Sequence, residues 1–109
     1  MPKRGNAECI QDIIEAISRI ESYLAGIGYN RFLKDIKTQD AIVRNLEIVG
    51  EAVKNISADF RRKHKNADWE NIAKMRDKLI HHYFGVNLEI VWDVIKNKLP
   101  ELKSQLESL

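Results

Sequence analysis

Ile10, Ile13, Ile14, Ile17, Ile20, Leu24 and Ile27 recur at three- and four-residue steps. An α-helix takes about 3.6 residues per turn, so this series forms one apolar stripe along a helix. A strand needs alternation with a period of two, and no segment of the chain shows it. Glu15, Arg19 and Glu21 fill the outer face. The spacing predicts a helix over residues 7–27, stopped by Gly26 and Gly28.

The same reading extends along the chain. Tyr29 to Lys37 reads as a connector with one short turn around Phe32 and Leu33. Thr38 is placed to cap a second helix, with Asp40 in its first turn. Ala41, Ile42, Leu46, Val49, Val53 and Ile56 carry that helix to about Ser57. A short basic piece, Asp59 to Lys65, follows; it is either a solvated cationic turn or a patch for RNA. Asp68 caps a third main helix with the stripe Trp69, Ile72, Met75, Leu79 and Ile80, and Gly85 ends it. Asn87 caps the last helix, whose stripe is Leu88, Val91, Trp92, Ile95 and Leu99. Pro100 lacks a backbone donor, so a break or kink is expected there, with Leu102, Leu106 and Leu109 continuing beyond. The expected fold is all-α: an antiparallel bundle of four main helices plus short helical pieces, in one domain spanning 1–109.

Composition narrows the function. With 44% apolar and 31% charged residues, the chain reads as a soluble globular protein. Its formal net charge of +2 is too balanced to coat nucleic acid by bulk electrostatics, so any RNA contact must be local. Cys9 is the single cysteine, which excludes an internal disulfide and fits a reducing cytoplasm. No signal peptide, membrane span, metal cluster or cofactor is expected.

Chemistry concentrates in Arg76-Asp77-Lys78-Leu79-Ile80-His81-His82-Tyr83. An arginine is a permanent cation with a planar fork suited to phosphate, and a histidine moves protons near neutral pH. With the 2′-hydroxyl of RNA as nucleophile, the pair could cleave RNA without a metal; on spacing alone the segment reads equally as a helix end carrying a few polar residues. Residues seven apart differ by about 20° around a helix, so Arg76 and Tyr83 share a face. Residues five apart differ by about 140°, so Arg76 and His81 diverge unless the helix ends near His81 or a second subunit supplies the opposing motif. His82 points elsewhere, about 100° from His81. Asp77 either holds Arg76 or a neighbouring histidine in place, or pairs with Lys74 or Lys78. His64 lies in the basic turn and reads as solvated.

Arg44, Glu47 and Glu51 share one face of the second helix and read as a salt-bridge network rather than a metal site. Gly50 beside them costs about 1 kcal/mol relative to alanine in mid-helix. That cost points to close approach of another backbone, from within the bundle or from a partner subunit.

Arg76-x4-His81-x-Tyr83 at the end of the third main helix resembles the signature of HepT, a toxin branch of the HEPN superfamily of ribonucleases. Arg44-Asn45-Leu46-Glu47-Ile48-Val49-Gly50-Glu51-Ala52 resembles the second-helix block of that family. Trp69 with Ile72, Met75 and Arg76 resembles its approach to the arginine, and Trp92 with Leu99-Pro100-Glu101-Leu102 resembles its tail. No signature position departs. The resemblance implies an all-helical homodimer whose two motifs face one cleft, and metal-independent RNA cleavage by Arg76 and His81. It implies the toxin of a type VII-like toxin–antitoxin module, whose MntA-type nucleotidyltransferase antitoxin transfers AMP to Tyr83. The alternative is a non-catalytic helical adaptor that binds a nucleotidyltransferase and serves as its substrate.

Overall fold

The computed structural model describes residues 5–81 and 87–109, with all of their side chains except those of 79–81. Helix α1 (Asn6–Leu24) lies along α3 (Ile36–Asn55), joined through the short α2 (Tyr29–Phe32). The two long helices run antiparallel. Asn6 at the start of α1 meets Ser57 just beyond the end of α3: Asn6 Nδ2 donates to Ser57 Oγ at 3.2 Å, and Ser57 N donates to Asn6 Oδ1 at 3.0 Å. Next come α4 (Ala58–Lys63) and α5 (Trp69–His81), which packs on α3. The chain ends with α6 (Leu88–Asp93), a π-helical turn (Val94–Lys98) and α7 (Leu99–Glu107), which returns to α1. All the described elements are helical, as the apolar periodicity predicts.

The core sits mainly between α1 and α3. Ile13, Ile17 and Ile20 from α1 meet Ile42, Leu46, Val49 and Val53 from α3, and all are fully buried. Each contributes about 1.5–3 kcal/mol through burial. Phe32 of α2 is also fully buried and stacks on Trp92 at 5.1 Å between ring centroids. Of the stripe expected in α1, Ile10 and Ile14 lie at its edge and are only partly buried.

Local chemistry sets most helix ends. Gly26 closes α1 with a φ of +76°, a left-handed conformation that suits glycine. Asn87 caps α6, its side-chain oxygen accepting from Glu89 N at 2.9 Å and Ile90 N at 3.3 Å. The cap of α3 differs from expectation. Asp35, not Thr38, is the capping residue, and the helix starts at Ile36. The Asp35 carboxylate accepts from the Thr38 hydroxyl at 2.7 Å and its backbone N–H at 3.1 Å. Those bonds hold the Asp35 carboxyl below its usual pKa. A carboxylate three residues upstream offers the helix a charged acceptor, which outcompetes a threonine hydroxyl.

Pro100 does not break the chain. It is the second residue of α7, and the π-helical turn precedes it. Proline removes one donor and crowds the preceding carbonyls, and widening the turn accommodates both. Leu102 and Leu106 continue the buried stripe, whereas Leu109 lies outside it and is exposed. His64 is half-buried against Phe60, with ring centroids 4.3 Å apart, rather than freely solvated. In α4, Arg62 and Lys63 both pair with Asp59, so the basic turn presents less positive charge than its composition suggests. No helix among the described residues is long and apolar enough to cross a membrane. Gly85 and the side chains of Leu79 and Ile80 lie outside the described residues.

Candidate active site

Two neighbouring residues of α5, Arg76 and Asp77, meet α3 where the latter carries Gly50, Glu51 and Lys54. Gly50 permits the approach. A Cβ there would collide with Arg76 Cβ, and would lie 2.6 Å from Arg76 Cγ and 3.2 Å from its Cα. The close backbone approach foreseen at Gly50 is therefore made within the bundle, by α5.

The head of Arg76 is held at both tips. Its Nη2 donates to Glu51 Oε2 at 2.8 Å and its Nη1 to Asp77 Oδ1 at 3.2 Å. The same Asp77 oxygen accepts from Lys54 Nζ at 3.0 Å. A chain of alternating charge results: Glu51, Arg76, Asp77, Lys54. The Lys54 bond first, and the Arg76 bond second, hold the Asp77 carboxyl below its usual pKa. Asp77 thus serves Arg76 and Lys54. The alternative pairing with Lys74 does not occur, because Lys74 pairs with Glu70. The expected network on α3 is also split. Arg44 reaches Glu47 at 3.6 Å, while Glu51 turns to Arg76.

Arg76 remains available to a ligand. Its side chain is 23% exposed. A guanidinium carries five donor hydrogens, and the two ion pairs engage one on each terminal nitrogen. Nε is buried without a hydrogen-bond partner. A small cavity of about 260 Å³ adjoins the group, lined among others by Asp12, Arg44, Glu47, Glu51 and Arg76. Three carboxylates face two guanidiniums there, so this cavity is not a cationic trough.

A larger cleft of about 740 Å³ lies between α5 and the α6–α7 segment. Ile72, Met75, Val91 and Leu102 form part of its wall, and Lys74, Lys78 and Lys98 stand among its polar residues. Met75, midway across its α5 wall, lies about 100° around the helix from Arg76, so the cleft opens beside the arginine's face and Arg76 does not line it. The stripe of Ile72 and Met75 signalled an apolar face on α5, but not that the bundle leaves it partly open.

His81 is the last residue of α5, and its backbone position is about 140° around the helix from Arg76. Its side chain, together with His82 and Tyr83, lies outside the described residues. Lys54 was missed as a partner of the motif. The signal that could have found it is Gly50, since residue 54 falls one turn along the same face. Among the described residues no group of three or more His, Cys, Asp or Glu could hold a metal ion.

A family model described as "Ribonuclease HepT-like" matches residues 13–109. The "Probable ribonuclease HepT" of Thermococcus cleftensis is 48% identical over 107 residues, covering 98% of this chain and 97% of the relative. A protein of Methanocaldococcus jannaschii, provisionally named an RNase, is 44% identical over 109 residues, covering the whole chain and 90% of the relative. Another provisionally named RNase, from Caldanaerobacter subterraneus, is 44% identical over 100 residues, covering 92% of the chain and 89% of the relative. No solved structure matches the chain significantly.

Proposed function

The chain belongs to the HepT-like family, and on that premise we propose that it is a metal-independent endoribonuclease acting through Arg76 and His81. The observation that carries this reading is the state of Arg76: fixed at the α3–α5 seam, partly exposed, with one hydrogen left on each terminal nitrogen. Relatives named as RNases supply the substrate class. In the proposed reaction an imidazole takes the proton from the 2′-hydroxyl. The 2′-oxygen attacks phosphorus, the bond to the 5′-oxygen breaks, and that oxygen leaves with a proton from an acid. Arg76 stabilises the negative charge that accumulates on the phosphoryl oxygens. The products are a 2′,3′-cyclic phosphate and a free 5′-hydroxyl.

One His81 cannot easily supply both base and acid, and it diverges from Arg76 around its own helix. A homodimer that opposes two motifs resolves both difficulties. Light scattering should report twice the chain mass, and a fully active monomer would remove the idea. The reaction should survive EDTA, and a substrate with a 2′-deoxy sugar at the scissile position should resist cleavage. Loss of cutting on chelation, with full activity in His81→Ala, would reject the mechanism.

The proposal extends to a toxin silenced by a nucleotidyltransferase antitoxin that adds AMP to Tyr83. The sequence supports it: Tyr83 follows Arg76 by seven residues, and an AMP adduct adds bulk and negative charge to the segment that carries the phosphate-binding arginine. Tyr83→Phe should keep cleavage and escape neutralisation. Full neutralisation of that variant, with no AMP adduct on wild type incubated with partner and ATP, would favour inhibition by simple binding.

One observation favours the second reading, a non-catalytic adaptor. Both tips of Arg76 already carry carboxylates, and the adjoining cavity has an excess of acid. Under that reading Arg76→Ala would weaken the fold, and the wild type would leave RNA intact.

A further inference from the structure

The proposed chemistry needs Arg76 in one orientation, yet arginine has one of the most mobile side chains. Asp77 cannot orient it alone, since both residues ride on α5 and move together. An orienting contact must come from another helix. Glu51 provides it across the seam, 2.8 Å from Nη2, while Gly50 lets the stem of Arg76 lie against the α3 backbone. Lys54 completes the arrangement by holding Asp77 from the same face of α3 at 3.0 Å.

We infer that Glu51 is a positioning residue for Arg76, aiming the guanidinium at the scissile phosphate from the neighbouring helix. The inference rests on the catalytic role proposed for Arg76. The Glu51 side chain is 53% exposed, so its ion pair contributes little to global stability. Its value lies in orientation, where a shift of about 1 Å in a catalytic group can cost about 100-fold in rate. Glu51 touches no reacting atom. Its removal therefore lowers turnover, while RNA contacts made elsewhere keep KM near its original value.

The test compares wild type, Glu51→Ala, Glu51→Gln and Arg76→Ala on one RNA substrate, with thermal unfolding recorded for each. Glu51→Ala should lose about 100-fold in kcat with a change in KM below about threefold and little change in Tm. Glu51→Gln keeps an acceptor oxygen at the same reach and should recover part of that loss. An inactive Arg76→Ala beside a fully active Glu51→Ala would overturn the role of Glu51 alone. A fully active Arg76→Ala would instead overturn the catalytic reading of Arg76.

A second readout does not depend on turnover. Nitrogen-resolved NMR of the Arg76 guanidinium should show separate terminal-nitrogen signals in wild type. Glu51→Ala should merge them through faster rotation. Merged signals in wild type, or separate signals in Glu51→Ala, would overturn the inference even if no RNA were cut.

Discussion

Helix α3 faces two neighbours and meets them by opposite means. Against α1 it presents Ile42, Leu46, Val49 and Val53, all fully buried in a seam of branched aliphatic side chains. Against Arg76 and Asp77 of α5 it presents Gly50, Glu51 and Lys54, and there the contact is a bare backbone flanked by ion pairs. The first seam supplies stability through the area it removes from water. The second has Trp69, Ile72 and Ala73 of α5 for its share of the core, and in addition fixes the head of one arginine. A seam of leucines would hold α5 as well, but would leave Arg76 nothing to be aimed by.

The sharpest test of this division is at the motif. Arg76→Ala and His81→Ala should each lower RNA cleavage by at least about 1,000-fold under the proposed mechanism, with the helical circular dichroism spectrum retained. A similar loss in both, without loss of fold, would place function in the α5 seam. In the other seam, Leu46→Ala should cost about 2–5 kcal/mol in denaturant unfolding. Its cleavage rate per folded molecule should stay near wild type. If that rate collapsed while the fold held, the two seams would not be separable.

Gly50→Ala probes the boundary between them. The added methyl must push Arg76 and α5 away, at a cost of about 1–3 kcal/mol. Unlike Leu46→Ala, it should also depress turnover in the molecules that remain folded. Equal stability and activity in Gly50→Ala would show that α5 stands off further than the Arg76 contact implies.

The smallest expected effect is on acid stability. Asp77 has a folded pKa below its unfolded value of about 3.9. Its contribution is therefore fully present above that unfolded value and lost as pH falls through the lowered folded one. Stability measured from pH 7 downward should owe no loss to Asp77 until about pH 4. Asp77→Asn should flatten only the acid limb below that point. A change in slope near neutrality would assign the titration to another group.

The helices were legible because their signals are local. The three- and four-residue recurrence of Ile13, Ile17, Ile20 and Leu24 marks the buried face of α1, and Asn87 marks the start of α6. Local competition was harder to read. Asp35 and Thr38 both suit a cap, and charge decided between them. At Pro100 the missing donor was evident, but a wider turn absorbed it without ending the helical run. The motif arginine and the close approach at Gly50 were also visible in the sequence, though not the identity of the helix that makes the approach.

Local pattern in the chain set which segments are helical, which of their faces are apolar, and that an arginine, two histidines and a tyrosine fall within eight residues. Tertiary structure alone decided the partners. Within its own helix Glu51 could have served Arg44, and Asp77 could have served Lys74. Packing instead brought Glu51 to Arg76 and Lys54 to Asp77, residues 23 to 25 positions apart. The physical reason is range. Helical periodicity arises from bonds spanning four residues, whereas a surface carboxylate gains similar energy from any cation within reach. Which cation comes within reach depends on how two helices meet, and here they meet at a glycine.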